Sequence, residues 1–412
     1  MKRNYVFMLL GLFILGLLVG GCSKETKQAD GEKFTETNKY ETDAGPNNNQ
    51  KEEDKGIPEV QEGSPDWVML QIEKAVEDND IDSFMHYQNK ENPIFYKEQK
   101  RWIEEAIFKK KQGYKLSVDV SNFMKEDDTK GTVFFKVTMA FTGAETMSNL
   151  VSYQMIKAGD SWVLNDVPFE KITSESGIIT VYYKKGEEEP ANKTLTDATD
   201  IVDYYAKMFN WKPEPISIKI YPTNSEVSAT VPWMMLGGWN EMGESLKLTT
   251  NTSSQIFKYL AHELTHKMVS DITKDNATIY IQEGFASYLG VTITRGSDGK
   301  ISYDHQKAFE NSKKALEASK SIKTIGELGK IDYSDPEASM YRDGSLLSTY
   351  LIETHGMDSF QEMLRYLSKF EYIDKRSEHK MDIVHPLTVE AIEKVYGSAE
   401  KVSSDMKNYY SK

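Results

Sequence analysis

The chain has 412 residues, more than one ordinary hydrophobic core organises, so a tail and two folded regions are expected. Its 50 Lys+Arg against 64 Asp+Glu give a net charge of −14, the wrong sign for a phosphate-rich partner, which argues against nucleic acid. A single cysteine, Cys22, rules out an intrachain disulfide and any site with two thiolates, so a metal would have to be held by nitrogen and oxygen.

Lys2 and Arg3 precede an apolar run from Val6 to Val19, and polar Ser23-Lys24-Glu25 follow soon after. That is signal-peptide architecture over residues 1–21, too short for a span of about 20 apolar residues. Val19-Gly20-Gly21-Cys22 resembles the lipobox of bacterial lipoproteins, which implies that Cys22 carries the lipid; an ordinary signal peptide with an incidental cysteine is the alternative. Two or three acyl chains anchor stably where one does not. Residues 22–65 are nearly devoid of large apolar side chains, so burial cannot offset ordering entropy and a disordered tether is expected. The protein is thus expected on the extracytoplasmic face of a cell membrane, and its composition is of Gram-positive type.

Residues 66–175 form the first folded region. Trp67, Leu70, Ala75 and Val76, then Tyr96, Trp102, Ile103, Ile107 and Phe108, recur at helical spacing and predict two helices. Alternation then predicts strands at Leu116–Val120, Val133–Phe141 and Val151–Met155, with a turn at Ala158-Gly159-Asp160 leading to Trp162-Val163-Leu164. This order resembles the cone-shaped α+β domains of the nuclear-transport-factor-2-like type, which serve as ligand holders or as spacers.

Residues 176–412 form the second region, and the fold class as a whole is read as α+β. Strands are expected at Ile178–Tyr183 and Ile216–Tyr221, with a helix at Thr196–Asn210 between them. Gly237-Gly238-Trp239-Asn240 breaks the pattern, and Ser245–Thr249 resumes it as a strand, either a peptide-pairing edge or a buried one. Beyond it the chain reads as mostly helical.

The strongest signal is His262-Glu263-Leu264-Thr265-His266. A capping box at Thr252-Ser253-Ser254-Gln255 and the stripe Ile256, Leu260, Leu264 and Met268 put it on a helix. Histidines four apart share one helix face and converge on one metal, while Glu263 lies about 100° round the axis, beside that face. Catalytic Zn²⁺ takes three protein ligands and keeps one position open. Glu283, heading Glu283-Gly284-Phe285-Ala286-Ser287-Tyr288, is the candidate third ligand. Ile281, Phe285, Tyr288 and Leu289 make its helical stripe, and Gly284 and Ala286 permit close packing.

Together these patterns resemble the gluzincin metallopeptidases, in particular the compact peptidase-MA-like branch, over about 178–412. The resemblance implies a zincin-type domain with Zn²⁺ on His262, His266 and Glu283, and with Glu263 as general base toward a zinc-activated water. Tyr341-Arg342-Asp343-Gly344 resembles the family stretch whose tyrosine lies over the metal. Tyr341 is therefore the candidate oxyanion donor, with a core tyrosine on a helix over 337–354 as the alternative reading; His355 is a weaker rival donor, or else a cap at the end of that helix. Sixteen residues lie between His266 and Glu283, fewer than in the large aminopeptidases, and no Gly-x-Met-Glu-Asn strand is found. The first departure implies a tighter connecting loop, and the second, lacking the element that grips a free amino terminus, favours an endopeptidase.

Asp271 is a candidate to orient a ligating imidazole, or else an exposed acid at a helix end. Trp233, Trp239 and Met234-Met235 either line a substrate cleft or belong to a core. His86, His305, His379 and His385 lack partner spacing and read as surface or packing residues. The function expected is an extracytoplasmic zinc peptidase acting on protein or peptide; its rival is a non-catalytic lipoprotein that binds through the same folds. An intact Glu263 separates the two, because a retired metal site has no physical need of a base. The sequence carries no signal for oligomeric state.

Overall fold

The computed structural model describes residues 60–141, 145–251, 256–318, 321–333, 335, 337–373 and 380–411. The signal peptide, Cys22 and nearly all of the tether, the capping box at 252–255 and His379 lie outside the described residues. Helices and strands are mixed throughout, an α+β protein.

Ser64 caps α1 (Pro65–Asp78) by accepting from the Trp67 amide, and proline opens the helix where its missing N–H costs nothing. Its buried stripe is Val68, Met69, Ile72, Ala75 and Val76, which includes Ala75 and Val76 of the expected stripe but not Trp67 or Leu70. Leu70 faces solvent and Trp67 meets Tyr87 edge-on at 5.8 Å. The short α2 (Ile81–His86) is an addition to the two helices expected, since one turn and a half shows no period. In α3 (Pro93–Lys111) Trp102 and Ile103 are fully buried.

The four strands β1 (Lys115–Lys125), β2 (Lys130–Ala140), β3 (Met147–Ala158) and β4 (Ser161–Asn165) make an antiparallel meander in that order. Val133, Phe135, Val137 and Met139 on β2 and Val151, Tyr153 and Met155 on β3 are buried, the inward half of the alternation. Against them Trp102 stacks on Phe84 at 5.5 Å and meets Phe135 at 5.3 Å, while Tyr153 meets Phe95 at 5.6 Å. Aromatic rings fill the space between helices and sheet.

Among the described residues the second sheet has five strands. It takes β5 (Glu170–Thr173) from residues before 176, then β6 (Ile179–Tyr183), with α4 (Glu188–Phe209) leading to β7 (Ile216–Tyr221) and α5 (Asn224–Ala229) following it. The two-residue β8 (Gly238–Trp239) lies antiparallel on β9 (Leu246–Thr249), while β6, β7 and β9 are parallel. The order is β5–β6–β7–β9–β8, so the edges are β5 and, beyond β9, β8 at the Gly-Gly-Trp stretch read as an interruption. The 245–249 strand is interior and buried along its length, so it offers no free edge to a peptide.

Behind the sheet lie α6 (Ile256–Thr273) and α7 (Ile279–Thr292), a hairpin of β10 (Ile293–Arg295) and β11 (Ile301–Tyr303), and α8 (Gln306–Ala318). The short α9 (Ile325–Leu328), then α10 (Ser339–His355), α11 (Met357–Leu367), α12 (Lys380–Tyr396) and α13 (Ala399–Tyr410), complete the order. The α7 helix packs between α6 and α10. Tyr205 on α4 anchors α6 from the other side, its hydroxyl 3.1 Å from the Ala261 carbonyl and 3.0 Å from Thr265 Oγ1.

The two folded regions meet across a buried ionic seam. Lys219 lies 2.6 Å from Glu98 and 2.5 Å from Asp166, Lys247 3.4 Å from Glu98, and Arg101 Nε 3.0 Å from Glu244. Trp102 Nε1 donates across it to the Ala229 carbonyl at 2.8 Å. Charges this deep are tolerable only because each faces an opposite one.

Candidate active site

The stripe Ile256, Leu260, Leu264 and Met268 is buried along α6, which turns His262 and His266 to the opposite side, where α7 delivers Glu283. The two Nε2 atoms are 3.1 Å apart, and each lies 3.3 Å from Glu283 Oε2. Oε2 is buried with no donor properly aimed at it. Three electron-pair donors thus converge, each within 4.8 Å of the others.

The local electrostatics call for positive charge. Burial alone would raise the Glu283 carboxyl, yet the adjacent His266 and His262 hold it well below the usual carboxylate range. Burial likewise opposes a charged His266, but Glu283, Glu263 and Gln282 push its pKa up to about 9. A carboxylate that draws a proton onto a buried imidazole is a place where a cation is favoured. Two imidazole nitrogens and one carboxylate oxygen are the donor set that suits zinc.

Gln282 completes the imidazole's orientation. Its Oε1 lies 3.2 Å from His266 Nδ1, which holds a proton on Nδ1 and so makes Nε2 the atom that gives up its proton to a metal. Gln282 Nε2 in turn donates to Ser270 Oγ at 3.2 Å, and Ser270 to Asp275 at 3.1 Å, with Lys380 paired to the same carboxylate. Asp271 plays no such part. It pairs with Lys267 and accepts from Trp211 Nε1 at 3.1 Å, turned toward the segment after α4 and not toward the histidines. Adjacency to Glu283 was the available signal for Gln282.

Glu263 is buried beside the triad, and its carboxyl is raised by burial and by Glu283, against the opposing pull of the two imidazoles. A carboxylate raised in this way takes up a proton more readily than one in water. Gly238 on the edge strand lies directly against it: a Cβ there would come within 2.4 Å of Glu263 Oε1. A side chain at Gly238 would push the Glu263 carboxylate out of this position.

Tyr341, in the first turn of α10, stands near both carboxylates. Burial, with Glu283 and Glu263 adding to it, pushes its hydroxyl well above the ordinary phenol range, so it remains a donor. His355 sits at the far end of the same helix, about 20 Å along the axis, between the rings of Tyr350 and Tyr396. It is no rival donor. Sequence reasoning missed Tyr333, whose hydroxyl donates to Glu283 Oε1 at 2.8 Å.

Trp233 and Trp239 are half-buried and meet each other at 6.1 Å, between the first folded region and the site, while Met235 is exposed. The remaining described histidines are elsewhere: His86 lies against Tyr87, His305 pairs with Glu353 and His385 with the Tyr280 hydroxyl.

No curated protein matches the chain. Residues 242–409, which carry both histidines, Glu263, Glu283 and Tyr341, match the Peptidase family M1 domain. That family is a gluzincin family, and the match supports a zinc metallopeptidase.

Proposed function

We propose that the chain is a membrane-tethered, extracytoplasmic zinc metallopeptidase that hydrolyses peptide bonds, with a nuclear-transport-factor-2-like domain ahead of a zincin-type one. The convergence of His262, His266 and Glu283, with Glu263 buried beside them, carries this reading. When bound there, Zn²⁺ supplies Lewis acidity, polarising the scissile carbonyl and making water a stronger acid.

The residues do the rest. His262 and His266, the latter fixed by Gln282, and Glu283 offer the three donors. Glu263 takes the proton from the attacking water and returns it to the leaving amine, a double duty suited to its raised pKa. Tyr341 donates to the developing oxyanion. The edge strand β8 offers backbone groups for an extended substrate to pair with.

Membrane attachment rests on Cys22 in its lipobox context; palmitate labelling that survives Cys22→Ser would overturn it. Among the described residues no helix is long and apolar enough to cross a membrane. The non-catalytic alternative has no use for Glu263. An endopeptidase is favoured by the missing Gly-x-Met-Glu-Asn strand. One observation favours an aminopeptidase instead: Glu241, two residues beyond β8, acts electrostatically on Tyr333, so a further acid stands beside the site. The deciding experiment is cleavage of matched peptides with free and acetylated amino termini, with zinc content measured and with and without chelator. Equal cleavage of both supports the endopeptidase, and loss on acetylation the aminopeptidase. A protein that binds no zinc and cleaves neither sinks the whole reading.

A further inference from the structure

One continuous stack connects the first folded region to the metal-binding carboxylate. Lys109, near the end of α3, holds its ammonium 3.5 Å from the centre of the Trp233 ring. Asn149 of β3 donates at 2.9 Å to the backbone carbonyls of Trp233 and Met234, holding the same loop. The Trp233 ring meets the Tyr333 ring edge-on, 5.8 Å apart at 88°. The Tyr333 hydroxyl then donates to Glu283 Oε1 at 2.8 Å, leaving Oε2 as the oxygen that faces both imidazoles.

Tyr333 is oriented against habit. Tyrosines at a surface usually bury the ring and keep the hydroxyl wet, whereas Tyr333 is 42% exposed with its hydroxyl turned in to a carboxylate that is itself 5% exposed. Ring burial therefore does not set its position; the hydrogen bond and the edge of Trp233 do. A carboxylate with one oxygen taken by a phenol cannot swing to present both oxygens to a cation. We infer that Tyr333 is a positioning residue for Glu283 in the metal centre, and that the first folded region, through Lys109 and Trp233, holds Tyr333 in place. This rests on the metallopeptidase reading and gives the 66–175 region a task in the site.

The test uses the full chain, with Zn²⁺ affinity measured by competition against a chelating dye and with the absorption spectrum of the Co²⁺-loaded protein. Tyr333→Phe keeps the ring on Trp233 and removes the hydroxyl. It should raise the zinc Kd about 10- to 100-fold, the usual loss when a partner behind a ligand is removed. The cobalt bands should shift, while the metal-free protein melts as the parent does. Lys109→Met should raise the Kd less, and combined with Tyr333→Phe it should add little, because both act on one contact. Trp233→Leu, which removes the linking ring, is the second variant should Lys109→Met fail to fold, and it should behave the same way. A Tyr333→Phe protein with the parent's Kd and cobalt spectrum overturns the role of Tyr333. Losses from Lys109→Met or Trp233→Leu that multiply with that of Tyr333→Phe overturn the role of the first region. A parent that binds zinc yet cleaves no peptide defeats the peptidase reading instead, and leaves these affinities readable.

Discussion

Gly284 and Gly344 face each other where α7 crosses α10, so closely that a Cβ on Gly284 would lie 2.2 Å from the Gly344 carbonyl oxygen. The reverse contact is as tight, since a Cβ on Gly344 would lie 2.3 Å from the Tyr280 carbonyl oxygen. The obstacle in both cases is backbone, which cannot rotate aside. This crossing sets Glu283, next to Gly284, against Tyr341, one helical turn before Gly344.

Gly284→Ala should therefore force the two helices apart. Overpacking costs about 1–3 kcal/mol in ordinary cores, and the helix preference of alanine returns only about 1 kcal/mol. The urea midpoint should fall and zinc affinity with it, because the carboxylate moves with the helix. A variant with the parent's midpoint would show that the crossing has slack.

Glu263 and Glu283 should fail in different ways. Glu263→Gln keeps shape and leaves the three donors untouched, so hydrolysis should drop by at least about 10²-fold with zinc content unchanged. Glu283→Ala should lose zinc and activity together, since two ligands do not hold the ion tightly. Metal analysis beside a turnover assay separates the two; near-normal turnover in Glu263→Gln removes it from the mechanism.

Tyr341→Phe should act on rate. A hydrogen bond made mainly in the transition state lowers kcat when removed and leaves KM nearly unchanged. The expected loss is about 10²- to 10³-fold in kcat, roughly 2.7–4 kcal/mol. Zinc content and melting temperature should stay at the parent's values. An unchanged kcat would return Tyr341 to a packing role.

Acid should loosen the seam between the folded regions. Burial alone would raise Glu98, but Lys219 and Lys247 bring its pKa down to about 2 from 4.5. A depressed carboxyl contributes its stability above about 4.5 and loses it as pH falls through about 2. The ceiling is on the order of 3 kcal/mol, reduced by Asp166, which burial and the Glu98 charge push up on the same lysine. Urea midpoints between pH 5 and 2 should fall in the parent and fall less steeply in Glu98→Gln, whose stability at pH 6 is already lower. Equal slopes would take Glu98 out of the acid response.

Much of the site was legible because a helix repeats every 3.6 residues and the chain alone specifies that period. His262, Glu263 and His266 are local, as is the apolar stripe that turns them away from the core, and the small residues after Glu283 announced a close crossing. The two histidines share a face by their spacing, while Glu283 reaches them through the packing of α7 on α6. What only the tertiary structure decided are encounters between residues far apart in the chain. Tyr333 reaches Glu283 across 50 positions, and Arg101 reaches Glu244 across 143. No period encodes such meetings, because packing of whole elements sets them. The same packing put a two-residue strand at the sheet edge and sent Asp271 to Trp211. Sequence names the chemistry where the groups share one helix; the fold chooses which distant side chains hold them in place.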